Sequence, residues 1–265
     1  MTDAKVLEEL RRENLYLKEV QKQYRNYRNT VRNMLMTGEL KHDAVKVIET
    51  PLFNRPILAS DGGVDWYGEV TSEELISGNA LASLIGLTVG NAQHSDAGWL
   101  YVGLDGQELL IAKRPLRHSL SWDQINAVNA VYGNRTVEIN GQQYKVRLPK
   151  GANSDPTVPD TSGWDVPSSH GSEWNRIFYR LTNDTHTDAR NTKASEGEFT
   201  HLAQYSESDL ILDYRTGNGS YSWCQESVGG YRVIRGIYGV SYLSRDTPSY
   251  VYSHSGWRPF LERVI

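Results

Sequence analysis

Residues 255–265 read Ser-Gly-Trp-Arg-Pro-Phe-Leu-Glu-Arg-Val-Ile, "SGWRPFLERVI". Soluble chains usually fray into polar residues at their ends. This stretch instead closes on an apolar run. Phe260, Glu262 and Val264 alternate with Leu261, Arg263 and Ile265 at period two, the side-chain period of a strand. Both series mix apolar and charged residues, as expected of a strand buried on much of both faces. The pattern predicts a closing strand held inside a domain, so that removing Phe260 to Ile265 unfolds that domain rather than trimming it.

Working back from this strand, residues 238–255 read "YGVSYLSRDTPSYVYSHS", a polar and aromatic loop. "GNGSYSWCQES" and "GGYRVIRGIYGVSYL" before it read as strands and turns. Further upstream, "WLYVGLDGQELLIAKR" predicts a hairpin on Asp105-Gly106, and "TVEINGQQYKVRL" a second on Asn140-Gly141. Asp-Gly and Asn-Gly supply the two positive-φ positions of a type I′ turn. "SLSWDQINAVNAVYG" predicts a helix with Ser121 as N-cap, Gln124 completing a capping box and Gly133 closing it. "SEWNRIFYRL" predicts a second short helix capped by Ser172. Residues 151–171 and 183–200 are polar and irregular, the second too long for a plain connection.

Three pieces of the last third resemble, in order, the strands of the C-type lectin fold. Tyr221-Ser222-Trp223-Cys224-Gln225-Glu226 is similar to its "V-W-E-W" strand, Arg232-Val233-Ile234-Arg235-Gly236 to its "R-V-x-R-G-G" strand, and Gly256-Trp257-Arg258-Pro259-Phe260-Leu261 to its closing "G-F-R-x-x-x" strand. The branch they resemble most holds formylglycine-generating-enzyme-like domains and receptor-binding tip proteins of some bacteriophages. The run from Gly98 through "SEWNRIFY" also resembles segments of phage virion proteins with this ending, so the resemblance covers roughly residues 97–265. It implies a domain whose first and last strands pair. It also implies ligand contacts from the loop before the closing strand, here Tyr238, Tyr242, Arg245, Asp246, Tyr250, Tyr252 and His254. Tyr and Ser together make an adaptable contact surface at low entropic cost. About half of these rings are expected to pack the fold, with Tyr242, Arg245 and Tyr252 exposed.

The first 37 residues contain no Gly and no Pro. Leu10, Leu17, Tyr24 and Val31 fall seven apart, as do Val6, Glu13, Val20, Tyr27 and Met34, and the two series are offset by three and four. That is the a/d seam of a heptad, with Glu13 as a polar break. A lone polar helix of this length is marginal in water. It needs a partner: parallel copies of itself, or its own domain. The seam Val6, Leu10, Leu17, Val20, Tyr24, Tyr27, Val31 and Met34 is the expected oligomerisation surface. A homotrimer is favoured, since fibres with such stems commonly are trimers. Residues 39–96 then read as a neck or small connecting β region, with short strands at 46–50 and 55–59, a turn at Asp61-Gly62-Gly63 and a helix opening at Thr71. The expected organisation is α+β: a coiled-coil oligomerisation or anchoring helix at 1–38, the connecting region at 39–96 and a C-type-lectin-like domain at 97–265.

Composition limits the chemistry. A net charge of −4 argues against nucleic acid, which calls for a basic face. No window of about 20 apolar residues is present, so no membrane insertion is expected. The charged start of the chain is unlike a signal peptide. Sixteen Tyr and 7 Trp against 4 Phe fit either a recognition surface or ordinary cross-strand packing. Cys224 is the only cysteine, which excludes an internal disulfide and the paired-thiol chemistry of the oxidase relatives. There is no H-E-x-x-H, and Asp155, Asp160 and Asp165 lack a calcium-loop spacing. No cofactor is expected, although lectin-like domains often hold a structural calcium ion. The expectation is a non-enzymatic phage virion protein, assembled in the host cytoplasm. It would bind itself, other virion proteins through its N-terminal region, and a host-surface glycan or protein. The alternative is a decoration or connector protein of the virion with no receptor role.

Overall fold

The computed structural model describes residues 55–154, 170–183, 199–211 and 217–264. The predicted N-terminal helix and its seam, the expected strand at 46–50 and the loop holding Asp155, Asp160 and Asp165 lie outside the described residues. In chain order the elements are β1 (Ala59–Asp61), β2 (Val64–Val70), α1 (Gly78–Ile85), β3 (Asn91–Ala92), β4 (Trp99–Leu104), β5 (Gln107–Ala112), β6 (Arg117–His118), α2 (Trp122–Ala127), β7 (Tyr132–Ile139), β8 (Gln142–Arg147), α3 (Glu173–Leu181), α4 (Glu207–Leu210), β9 (Tyr221–Val228), β10 (Tyr231–Gly236), β11 (Leu243–Asp246), β12 (Ser255–Trp257) and β13 (Phe260–Arg263). The architecture is mixed α+β and dominated by two sheets. One has seven strands in the order β1-β2-β4-β5-β13-β8-β7, and the other six in the order β11-β10-β9-β12-β6-β3.

Local signals account for the hairpins and caps. Asp105 and Gly106 have φ of 50° and 83°, and Asn140 and Gly141 have 53° and 77°, the paired positive values of a type I′ turn. Ser121 and Gln124 exchange the two bonds of a capping box at the head of α2. Ser172 accepts the Asn175 N–H at 3.2 Å at the head of α3. Two helix boundaries differ from expectation. Helix α2 ends at Ala127, because Asn129 turns at φ 61°, and Gly133 instead lies within β7. At Thr71 the cap partners do bond, with Glu74 N–H on Oγ1 at 3.2 Å, but they close only a turn. The helix itself opens later, on Ser77.

The closing stretch forms two strands rather than one. β12 lies in the six-stranded sheet, parallel to β9 and antiparallel to β6. Arg258-Pro259 then crosses, and β13 enters the seven-stranded sheet between β5 and β8, with Leu261 opposite Leu110 on one side and Val146 on the other. Phe260 and Leu261 are both fully buried although they point to opposite faces, which explains the mixed alternation. The implied pairing of first and last strands does not occur, since β5 separates β4 from β13. The boundary at residue 97 also shifts. β2 pairs along its length with β4, so residues 59–70 belong to the main sheet, and Pro56–Ile265 form one compact unit.

The main core lies between the seven-stranded sheet and α3. Leu100, Val102, Leu109, Ile111 and Phe260 meet Trp174, Ile177, Phe178 and Leu181 there. Two guanidiniums are buried with them. Arg258 lies 5.6 Å from the Trp174 ring and 5.1 Å from Phe178, and Arg235 lies 5.5 Å from Trp174. Arg147 pairs with Glu173 at 2.6 Å and with Glu262 at 2.8 Å, tying β8 to α3 and to β13. Among the described residues no helix is long and apolar enough to cross a membrane.

Candidate functional site

The loop after β10 is fixed at its root before it reaches solvent. Gly236 has φ 92°, and a Cβ there would stand 2.7 Å from the Ser220 carbonyl oxygen. Ile237 follows at φ 69°, a conformation that is costly for a β-branched side chain. It is held there by burial and by its N–H bond to the Ser220 carbonyl at 2.9 Å. The far end is tied in the same way. Gly219 N–H bonds the Ser253 carbonyl at 2.7 Å, and Tyr221 N–H bonds that of His254 at 2.8 Å. The segment before β9 therefore anchors both ends of the loop, and the side chains between are presented on a braced backbone.

Those side chains form a tyrosine cluster. Tyr250 and Tyr252 stack with centroids 4.3 Å apart and planes 14° from parallel, and their hydroxyls are 2.9 Å apart. Tyr238 meets Tyr242 edge-to-face at 4.8 Å. Tyr238, Tyr250, Val251 and Tyr252 are 59%, 40%, 49% and 47% exposed, four of the large apolar side chains that face solvent among the described residues. Tyr221 completes the group. Burial pushes its phenol up to about 12, helped by the negative charge of Asp246 and by Tyr242, Tyr238 and Tyr252. His254 packs edge-on to Tyr221 at 6.3 Å. The Tyr252 phenol is also raised, first by its bond to Tyr250. The Tyr221 and Tyr252 hydroxyls therefore stay protonated at neutral pH and can both donate and accept.

The Glu207 carboxylate also braces the loop, accepting the Val240 N–H at 2.8 Å. Asp246 is half-buried, burial raises its carboxyl above the ordinary range, and it accepts the Thr247 N–H at 2.7 Å. Arg245 points elsewhere, over the Tyr231 ring at 5.0 Å. Of the three side chains expected to be exposed, Tyr252 is, whereas Tyr242 and Arg245 are half-buried. Tyr238 and Tyr250 are exposed in their place. Tyr221 was not among the expected loop residues because it heads a strand; the Gly217-Asn218-Gly219 turn before it is the available signal. Cys224 is fully buried beside Val228, Val233 and Leu243, and burial raises its thiol well above the usual value. Among the described residues no three His, Cys, Asp or Glu side chains converge as a metal-binding set. No protein-family model, curated protein or solved structure matches the chain.

Proposed function

We propose that the chain is a bacteriophage virion protein, an oligomeric fibre or tip protein whose C-type-lectin-like domain presents the tyrosine cluster to a receptor on the host surface. The exposed Tyr238, Tyr250 and Tyr252 on a braced loop carry this reading. Large, rigid amphipathic rings with few rotatable bonds are what a recognition surface uses. The three matched stretches, 221–226, 232–236 and 256–261, support the lectin-like assignment. The heptad seam at residues 6–34 supports self-association through the N-terminal helix, as a trimer, and attachment to other virion proteins. On this reading the protein binds and does not catalyse. Its single thiol is buried with a raised pKa, the reverse of an activated nucleophile.

The test is adsorption of the purified full-length chain to candidate host cells, with a Tyr238→Ala/Tyr252→Ala variant alongside. Binding that the double variant loses supports the receptor role. Binding that survives it removes the proposed surface, and no binding to any host strain favours a decoration or connector role. A monomeric mass in solution at micromolar concentration would remove the stem.

A further inference from the structure

Asp246 and Arg232 face each other directly across β10 and β11, the register at which a cross-strand ion pair is expected. The pair is not made. The Arg232 guanidinium lies 3.9 Å from the centroid of the Trp122 ring instead. The next guanidinium along the strand, Arg245, covers Tyr231. Among the described residues Asp246 enters no ion pair, and its carboxylate accepts the Thr247 backbone N–H. Among the described residues this half-buried carboxylate thus has no paired counter-charge. Its field reaches both Tyr221 and Tyr252.

The faces of those rings are themselves electronegative, because the π quadrupole is negative above and below the plane. The exposed Tyr238 and the outer faces of the Tyr250–Tyr252 stack therefore add to the carboxylate rather than offset it. An anionic ligand would meet repulsion from Asp246, with the Arg232 and Arg245 guanidiniums already engaged on other rings. A neutral ligand would stack but leave the carboxylate uncompensated. An organic cation satisfies both features at once, by cation–π contact with the phenol faces and by charge pairing with Asp246.

Resting on the receptor-binding reading, we propose that the tyrosine cluster with Asp246 binds an organic ammonium group displayed on the host surface. Two sources share this chemistry: a quaternary, choline-type headgroup, and the primary amine of an amino sugar or a lysine side chain.

The test titrates the full-length chain at constant ionic strength with choline, with n-butylamine and with 3,3-dimethylbutanol, the uncharged isostere of choline. Saturation-transfer NMR reads binding. At least one cation is expected to bind about tenfold more tightly than the neutral isostere. Asp246→Asn should weaken it about tenfold, Asp246→Glu should retain most of it, and Tyr252→Ala should weaken it several-fold. The tighter of the two cations identifies the source. Equal binding of the isostere, an unchanged Asp246→Asn variant with native thermal unfolding, or no binding of either cation overturns the proposal. Cell adsorption separates it from the reading beneath it. If Tyr238→Ala/Tyr252→Ala abolishes adsorption while Asp246→Asn and excess choline or amine leave it intact, the receptor role stands and the ammonium assignment falls.

Discussion

Glu226 offers a sharp test of how the second sheet is packed. It lies on β9, fully buried, with Oε2 accepting the Gly151 N–H at 3.0 Å and Oε1 without a hydrogen-bond partner. The nearby backbone N–H groups of Gly151, Ala152 and Glu226 itself favour its charge, as Arg235 does, and Glu173 disfavours it. Burial dominates and pushes the carboxyl from the ordinary 4.5 up to about 7. The folded state thus holds a proton that the unfolded chain releases between about pH 4.5 and about pH 7. Stability falls as pH rises through that window, and the gap corresponds to about 3 kcal/mol once both states are ionised. Glu226→Gln removes this loss. Its amide oxygen can still accept from Gly151, but its NH2 group occupies the unpartnered position of Oε1, which costs about 1 kcal/mol. The variant should therefore be more stable than the parent by about 2 kcal/mol near pH 8, and less stable by about 1 kcal/mol near pH 4. Urea unfolding followed by tryptophan fluorescence measures this, since Trp99, Trp174, Trp223 and Trp257 are all buried. Groups that titrate identically in both proteins cancel in the difference. A stability difference that stays constant from pH 4 to pH 8 would refute the reasoning, because it would mean that Glu226 titrates alike in the folded and unfolded chains.

Phe260→Ala should cost about 3–5 kcal/mol, read from the same unfolding curves, and deletion of residues 260–265 should abolish cooperative unfolding because β13 is a central strand. A deletion variant with a native near-ultraviolet circular dichroism spectrum would contradict this placement. Gly151→Ala should destabilise by about 1–3 kcal/mol, since the new Cβ would stand 2.5 Å from Cys224 Sγ and 2.9 Å from Arg235 Cγ; an unchanged urea midpoint would show that the segment after β8 lies less closely on β9 and β10. Arg258→Met keeps the stem against Trp174 and Phe178 while removing a buried cation whose Nε and Nη1 have no hydrogen-bond partner. It should be neutral or stabilising by about 1 kcal/mol in denaturant unfolding, and a loss above about 2 kcal/mol would show that the bond to the Leu210 carbonyl outweighs desolvation.

The features legible in the sequence are those set within four residues. Asp105-Gly106 and Asn140-Gly141 specify their turns because the backbone there needs two positive φ values. Ser121 and Ser172 specify helix starts because each satisfies an N–H three residues on. Element ends were less legible. Nothing local distinguishes the Asn129 turn from the continued helix that Gly133 suggested, and only the placement of β7 resolves it. The membership of β2 in the main sheet was hidden for a related reason. Its pairing with β4 spans the whole of α1 and β3, and the Gly and Pro residues around it resemble a linker. Side-chain exposure in the tyrosine loop depends on contacts of the same long-range kind. Tyr242 and Tyr252 look alike in sequence, yet one lies against Tyr238 and the other faces solvent.

Composition is continuous from Gly256 to Ile265 and predicts one closing strand. Pro259 is the residue that argues otherwise. It has no N–H to give a ladder, and it falls where the chain leaves one sheet for the other. Arg258 beside it is fully buried over Trp174 and Phe178. The crossing point is therefore anchored into the core by its own side chain. Upstream of it, Ser255 pairs with Tyr221, the residue at the base of the tyrosine cluster. Downstream, Phe260 and Leu261 fill the two faces of the larger sheet. The same few residues thus close the core and brace the loop. A substitution that loosens β13 should consequently disturb the tyrosine cluster as well as global stability, whereas substitutions at Tyr238 or Tyr252 should leave the core intact.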